Sequence, residues 1–356
     1  MCGITGFIDF KRSTSIQELH KMTDVLHHRG PDGSGYELIE KENYVLGFGH
    51  RRLSIIDLTE SGAQPMCFQE FWITFNGEVY NFSEIKLELE SLGHKFKSTS
   101  DTEVVLQAYT RWGSKCVDKF IGMFAFVIYN SSEGKVFCCR DRAGVKPFYY
   151  YFKDGLFLFS SELKSFHEHP GFEKKLNLAS VSAFMQYGNV PTPHCIFENC
   201  FKLKPGHYME FRTQEELTNE QLQPRNQKSY WNVYDAYNKP KLDLSFDEAK
   251  RETENILKNA CDYRMVSDVP VGVFLSGGYD SASVTALLQK DRTNPLKTFT
   301  ISVPDIGLDE APFAKEIATY LGTDHTEINC SHKEAIDLIE DLPFYYDEPF
   351  ADSSAI

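Results

Sequence analysis

The chain has 356 residues, of which 42% are apolar and 25% charged, with no low-complexity tract; that length suits two domains, each with its own core, and excludes a disordered or fibrous class. A net charge of -14 repels nucleic acid and anionic membrane surfaces, so small molecules are the expected ligands. Nine cysteines without a CxxC pair, a longest apolar run of only Phe120–Tyr129, and a start lacking a basic, then apolar, leader predict reduced thiols, no membrane span and a cytoplasmic location.

The first half alternates like antiparallel sheet. Strands are predicted at Gly3–Phe10, Tyr44–Ile56, Phe71–Asn76, Met123–Asn130, Val136–Arg140, Phe148–Phe152 and Leu156–Ser160, with hairpins at Ser131-Ser132-Glu133-Gly134 and Lys153-Asp154-Gly155. Capping boxes Ser15-x-x-Glu18 and Ser100-x-x-Glu103 predict helices, the second ending at Gly113. Two sheets covered by helices are one economical arrangement.

Polar residues with Pro224 and Pro240 mark a linker over 212–244, which separates a first domain, 1–211, from a second, 245–356. The second alternates helix and strand: a helix from the box Ser245-x-x-Glu248, a strand ending near Leu275, a helix carrying Val284, Leu287 and Leu288, a strand at Lys297–Val303, a helix at Pro312–Leu321 and a strand at His325–Asn329. That order predicts a parallel sheet with its ligand at the carboxyl ends of the strands. Between strand and helix lies Ser276-Gly277-Gly278-Tyr279-Asp280-Ser281, whose glycines let the backbone approach a ligand and whose N–H groups at a helix start suit an anion. It lacks the G-x-x-x-x-G-K-[ST] pattern; hydroxyls and one carboxylate suit pyrophosphate and a bridging Mg²⁺, unless the glycines serve only as an ordinary capped turn.

Cys2 follows the initiator methionine. Removal of Met1 leaves a thiol and an α-amine on one residue, with ordinary pKa values of about 8.5 and about 8, so the amine serves as base for the thiol. A structural cysteine in a first strand is the plainer alternative.

MCGITGF, His28-Arg29-Gly30-Pro31-Asp32-Gly33, Arg51 to Asp57, Phe75-Asn76-Gly77-Glu78-Val79-Tyr80-Asn81, Ser100-Asp101-Thr102-Glu103 and Gly122 to Phe126 occur in this order. Together, from residue 2 to about residue 165, they resemble the glutaminase domain of class II glutamine amidotransferases, which are N-terminal-nucleophile hydrolases with an αββα sandwich. The resemblance implies that Cys2 attacks the glutamine side-chain amide, that Asn76 and Gly77 form the oxyanion hole, that Arg52 holds the α-carboxylate and that Glu78 and Asp101 accept the α-ammonium. It also implies that His28 to Gly33 closes over bound glutamine. Each residue has a structural alternative: Asn76-Gly77 as a hairpin turn, Asp101 as a helix-start carboxylate, Arg52 as a surface arginine.

The Ser276–Ser281 loop resembles that of the PP-loop ATP pyrophosphatases. With Arg140 to Pro147, Ser160 to Lys164, Lys204 to Tyr208 and Ser267 to Val273, the chain resembles the glutamine-hydrolysing asparagine synthetases over its whole length. The family implies that Mg²⁺-ATP adenylates aspartate, and that ammonia reaching that site by an interior channel displaces AMP. It implies that Leu275, Ser276, Gly277, Gly278, Ser281 and Ile301 bind ATP, Asp280 binds the metal, and Asp347 to Ser353 lies near the acceptor; Ile301 reads equally as a buried strand residue. A homodimer is compatible with this.

The chain departs from the family by ending at Ile356, before a second pyrophosphate-binding motif and a downstream lysine, so a truncated synthetase half exposing apolar edges is expected. The acceptor stays open at this point: a sugar uronic acid, a β-lactam-forming relative or a catalytically silent homologue are the other readings.

Overall fold

A computed structural model describes residues 1–213, 220–303 and 309–352. Positions 214–219 of the expected linker, and Ser353 at the end of the string that begins at Asp347, lie outside the described residues. The chain forms two units, one of Met1–Lys239 with Tyr346–Asp352 and one built on Pro240–Tyr345.

The first unit contains two six-stranded antiparallel sheets. In one the order is Cys200–Lys202, Tyr149–Lys153, Leu156–Ser160, Gly3–Asp9, Val45–Arg52, Gly33–Glu40; in the other it is Lys228–Ser229, His207–Arg212, Lys135–Arg140, Gly122–Asn130, Phe71–Val79, Met66–Phe68. Their inner faces share one core. Ile4, Ile8, Leu46, Phe48, Phe157 and Phe159 meet Ala125, Val127, Tyr129, Val136 and Cys138 there. The intervening residues point outward and are buried as well, because a strand's side chains alternate between faces. Phe7, Val45 and Leu158 pack with Leu19, Met22 and Phe166 beneath helices Ile16–Asp24 and Lys164–His167. Phe124, Phe126, Ile128, Phe137 and Cys139 pack with Ile85, Leu89, Val104, Val105 and Ala108 beneath helices Phe82–Ser91 and Asp101–Trp112. Burial on both faces explains near-continuous apolar runs in antiparallel strands, and each fully buried Phe contributes about 1.5–3 kcal/mol. This is the expected αββα sandwich.

Local signals held with informative exceptions. The boxes at Ser15 and Ser245 close as predicted. At Ser100 only half the box forms: its hydroxyl caps Thr102 N–H at 3.2 Å, whereas Glu103 accepts from Ser98 N–H at 2.7 Å and Lys97 N–H at 3.0 Å. Three backbone and hydroxyl donors in the preceding loop outcompete the single cap N–H. The strand predicted to end at Asn76 runs to Val79, with Asn76 opposite Ala125 and Gly77 opposite Phe124, so Asn76-Gly77 is not a hairpin turn.

The second unit has a parallel three-stranded sheet, Gly272–Phe274, Lys297–Ser302, Asp324–Asn329. Helices Tyr279–Gln289 and Ala311–Leu321 connect the strands, as the alternating pattern predicts. Its buried clusters are small: Cys261, Leu288 and Leu296 in one, Leu275, Ala314 and Ala318 in the other. Phe274, Ile301, Phe313 and Ile328 are more than half exposed; Ile301 is therefore not the buried strand residue that its sequence context also allowed.

Candidate active site

Strand Gly3–Asp9 is central in the first sheet, and its pairing Gly3 to Arg51 sets Cys2 beside the end of strand Val45–Arg52. Cys2 Sγ accepts Leu53 N–H at 3.4 Å and lies 3.6 Å from Leu53 O, and Arg29 Nε donates to Cys2 O at 2.9 Å. The nucleophile candidate is thus fixed on both sides. Strand Phe71–Val79 of the other sheet supplies Asn76, Gly77 and Glu78. Gly77 has φ +153°, and a Cβ there would lie 2.2 Å from Met123 O and 2.6 Å from Phe124 Cα; only glycine fits. Asn76 Nδ2 lies 3.5 Å from Ser161 Oγ, and Asn76 Oδ1 has no partner among the described residues. Ser161 Oγ already accepts Ile4 N–H at 3.1 Å, so its proton is free to donate. With the amide turned so that Oδ1 takes that proton, Nδ2 becomes an available donor.

Cys2, Asn76, Gly77 and Glu78 line one cavity of ≈110 Å³ together with Met1, Arg52, Gly62, Gln64, Asp101 and Lys146. Arg52 is held by backbone carbonyls: Nη1 donates to Thr59 O at 2.7 Å and Nη2 to Asp57 O. A Cβ on Gly62 would stand 2.4 Å from Arg52 Nη2, so the absence of a side chain there makes room for the guanidinium. Asp101, the first residue of helix Asp101–Trp112, accepts Val79 N–H at 2.9 Å. Burial and then the neighbouring Glu78 push the Asp101 carboxyl up to about 7, against the Val79 hydrogen bond. Burial also raises Glu78, opposed by Lys146 and the N-terminal ammonium. Burial raises the Cys2 thiol, opposed by the Leu53 hydrogen bond, and lowers the Met1 amine. Two carboxylates disfavoured by burial share the cavity with a guanidinium, an arrangement whose charges suit a zwitterion, an ammonium at the carboxylates and a carboxylate at the guanidinium.

In the second unit Leu275 N–H pairs with Phe299 O at 2.9 Å, and the chain then turns into helix Tyr279–Gln289. Ser281 Oγ meets Ser276 Oγ at 2.8 Å and Ser276 N–H at 3.1 Å, and Ser276 Oγ accepts Gly278 N–H at 3.2 Å. The turn is braced by its own hydroxyls. Asp280 projects into solvent from the first turn of the helix, and Ile301 is on the adjacent strand. No cluster of three metal-ligating side chains exists among the described residues; a single carboxylate beside N–H groups and hydroxyls fits a hexacoordinate Mg²⁺ that takes most of its oxygens from phosphates and water.

Residues 1–231 match the family model described as glutamine amidotransferase domain, and residues 252–356 the one described as asparagine synthase. The chain is 37% identical over 99% of its length to a putative asparagine synthetase [glutamine-hydrolyzing] 2 of Methanocaldococcus jannaschii. It belongs to the glutamine-hydrolysing asparagine synthetase family. Asparagine synthetase [glutamine-hydrolyzing] 3 of Bacillus subtilis is 35% identical over 98% of the chain, and a protein named Amidase chry2 of Gibberella zeae is 31% identical over 99%. The chain spans 70%, 57% and 54% of these three relatives.

Four cavity or support residues of this asparagine synthetase family member were not singled out as site residues by sequence reasoning: Gly62, Gln64, Lys146 and Ser161. Gln64 accepts Phe75 N–H at 2.6 Å and donates to Thr102 Oγ1 at 3.1 Å, tying strand Phe71–Val79 to helix Asp101–Trp112. Lys146 and Ser161 sit in the strings Arg140–Pro147 and Ser160–Lys164 that carry the resemblance, which was the available signal; Gly62 and Gln64 had none.

Proposed function

We propose that the protein is a glutamine-dependent amidotransferase in which Cys2 releases ammonia from glutamine and the second unit uses it, with ATP, to convert aspartate into asparagine, AMP and pyrophosphate. The observation that carries the first half is the single cavity that joins a thiol, a guanidinium and two buried carboxylates. Glutamine fits it with its α-carboxylate on Arg52, its α-ammonium on Glu78 and Asp101, and its amide at Cys2. With Met1 removed, the Cys2 α-amine takes the thiol proton as Sγ bonds to the amide carbon. The resulting oxyanion is held by Asn76 Nδ2 and Gly77 N–H, an effect of roughly 3–4 kcal/mol per donor. The proton passes to the leaving nitrogen, the C–N bond breaks and ammonia departs; water then resolves the thioester to glutamate and the free thiol.

The second half rests on the match of residues 252–356 and the names of the relatives. Leu275, Ser276, Gly277, Gly278 and Ser281 receive the phosphates of ATP, with Ile301 beside the base and Asp280 holding Mg²⁺. That ion, when bound, neutralises the departing pyrophosphate. A relative with another printed name, Amidase chry2, matches 99% of this chain and 54% of its own length, so one further reading is kept, the same two half-sites serving another acceptor carboxylate such as a sugar uronic acid. Supplying amide-¹⁵N glutamine, ATP, Mg²⁺ and aspartate tests the choice. Labelled asparagine formed one-for-one with pyrophosphate supports aspartate; labelled amide on a uronic acid, with none on aspartate, replaces it by the second reading.

A further inference from the structure

The loop Arg140 to Pro147 is built more firmly than a strand connection requires. The Asp141 carboxylate accepts N–H bonds from Phe124 at 3.2 Å, Ala143 at 3.1 Å, Val145 at 2.9 Å and Lys146 at 2.9 Å. From the other side the Arg140 guanidinium donates to the carbonyls of Lys146 at 2.8 Å, Gly144 at 2.8 Å and Leu203 at 2.7 Å. Arg140 and Asp141 are the scaffold, and Pro147 fixes the exit. Lys146 is the charged side chain that the scaffold does not use. It is 4% exposed and lines the same cavity as Cys2, and its ammonium makes no hydrogen bond or ion pair with any described residue. Burial disfavours its charge, while Glu78 first and then Cys2 and Asp141 favour it; a buried cation held only by such through-space charges gains further from an anion formed beside it.

We propose that Lys146 is a positioning residue of the glutaminase site, its ammonium supplying the positive charge that stabilises the Cys2 thiolate and the anionic adduct formed from it. The inference rests on Cys2 being the nucleophile. The charged and titratable groups lining this space are Met1, Cys2, Arg52, Glu78, Asp101 and Lys146, and Arg29 and Asp141 act on the lysine from outside the lining. Burial and Asp101 both oppose a thiolate on Cys2, while the N-terminal ammonium and Lys146 favour it. The N-terminal amine serves as base only when neutral, and in that state it no longer stabilises the sulfur. Lys146 is the other positive charge there: burial lowers its pKa, and Glu78, Cys2 and Asp141 hold the ammonium against that. In the unprocessed chain Lys146 disfavours protonation of the Met1 amine, and the same charge acts on the Cys2 α-amine once Met1 is removed, keeping it available as base.

The test is the pH profile of Cys2 alkylation by iodoacetamide, read by mass spectrometry of the N-terminal peptide after Met1 removal, in the full chain and in Lys146→Met, Lys146→Gln and Lys146→Arg. Neutral variants are expected to lower the Cys2 rate at pH 7 by about tenfold, equivalent to one unit of thiol pKa. Lys146→Arg is expected to restore most of it, and the acid limb of glutaminase kcat/KM is expected to shift upward with the alkylation profile. An unchanged profile in folded neutral variants overturns the proposal. So does a raised KM for glutamine with no change in alkylation, which would make Lys146 a substrate contact. Loss of the fold in both neutral variants also overturns it, assigning the lysine to the scaffold. A Cys2→Ala protein that still hydrolyses glutamine would instead refute the nucleophile, whatever the alkylation result.

Discussion

Replacing Asp101 by Asn separates what this carboxylate does for glutamine from what it costs the fold. Burial and Glu78 raise its carboxyl from an ordinary 3.8 to about 7. At about 1.4 kcal/mol per unit this amounts to roughly 4 kcal/mol. The folded pKa lies above the unfolded one, so the associated stability is fully present below about pH 4 and is lost as pH rises, the loss being complete just above pH 7. Asp101→Asn keeps an acceptor for Val79 N–H and removes the charge, so the ligand-free variant is expected to melt higher than the parent at pH 8, with the difference shrinking toward pH 4. Glutamine reverses the balance. Its α-ammonium requires the ionised carboxylate, which at pH 6 is present in about one molecule in eleven of free protein for a pKa near 7. Calorimetric titration of glutamine into a Cys2→Ala background, in buffers of different ionisation enthalpy, is therefore expected to show about 0.9 proton released per glutamine at pH 6 and about 0.1 at pH 8. Affinity falls nearly tenfold per unit below pH 7, and Asp101→Asn abolishes the proton release. Flat affinity and no proton release between pH 6 and 8, with the Asn variant no more stable, would refute this assignment of Asp101.

Other substitutions test neighbouring parts of the account. Gly62→Ala places a methyl in the path of Arg52 Nη2 and is expected to raise the glutamine KM by about tenfold or more with kcat less affected, read by steady-state glutamate release. Ser161→Ala removes the hydroxyl between Ile4 N–H and Asn76; its expected signature is the opposite, kcat lower by about tenfold with KM little changed, because an oxyanion donor acts in the transition state. Asp280→Asn is expected to lower ATP-to-pyrophosphate conversion by about 10–100-fold, with partial recovery as Mg²⁺ is raised.

Much of the sandwich was legible because its physics is local. Runs such as Gly122–Asn130 and Lys135–Arg140 are apolar on both faces, and an antiparallel strand with helices outside and a second sheet inside has no solvent face to mark with polar residues. Strand Gly33–Glu40 escaped notice because glycines at 33 and 35 and its glutamates weaken β-propensity; its pairing with Val45–Arg52 comes from tertiary context. Asn76-Gly77 carried a strong turn signature that cross-strand pairing to Ala125 and Phe124 overrode. In the cavity, motif order pointed to Cys2, Arg52, Asn76, Gly77, Glu78 and Asp101, and folding brings those residues to one space. What sequence did not supply was support: Gly62 matters through the path of one guanidinium, Ser161 through a hydroxyl 3.1 Å from a backbone N–H 157 residues away. Such distances have no one-dimensional signal.

The most direct test of the central claim is release of ¹⁵N-ammonia from amide-¹⁵N glutamine by the protein and by Cys2→Ala, with Met1 removal checked by mass in each. The account predicts labelled ammonia and an equal amount of glutamate from the parent, and neither from the alanine variant while it still melts cooperatively. Hydrolysis that persists in Cys2→Ala, or its absence in a parent shown to begin at Cys2, would contradict it.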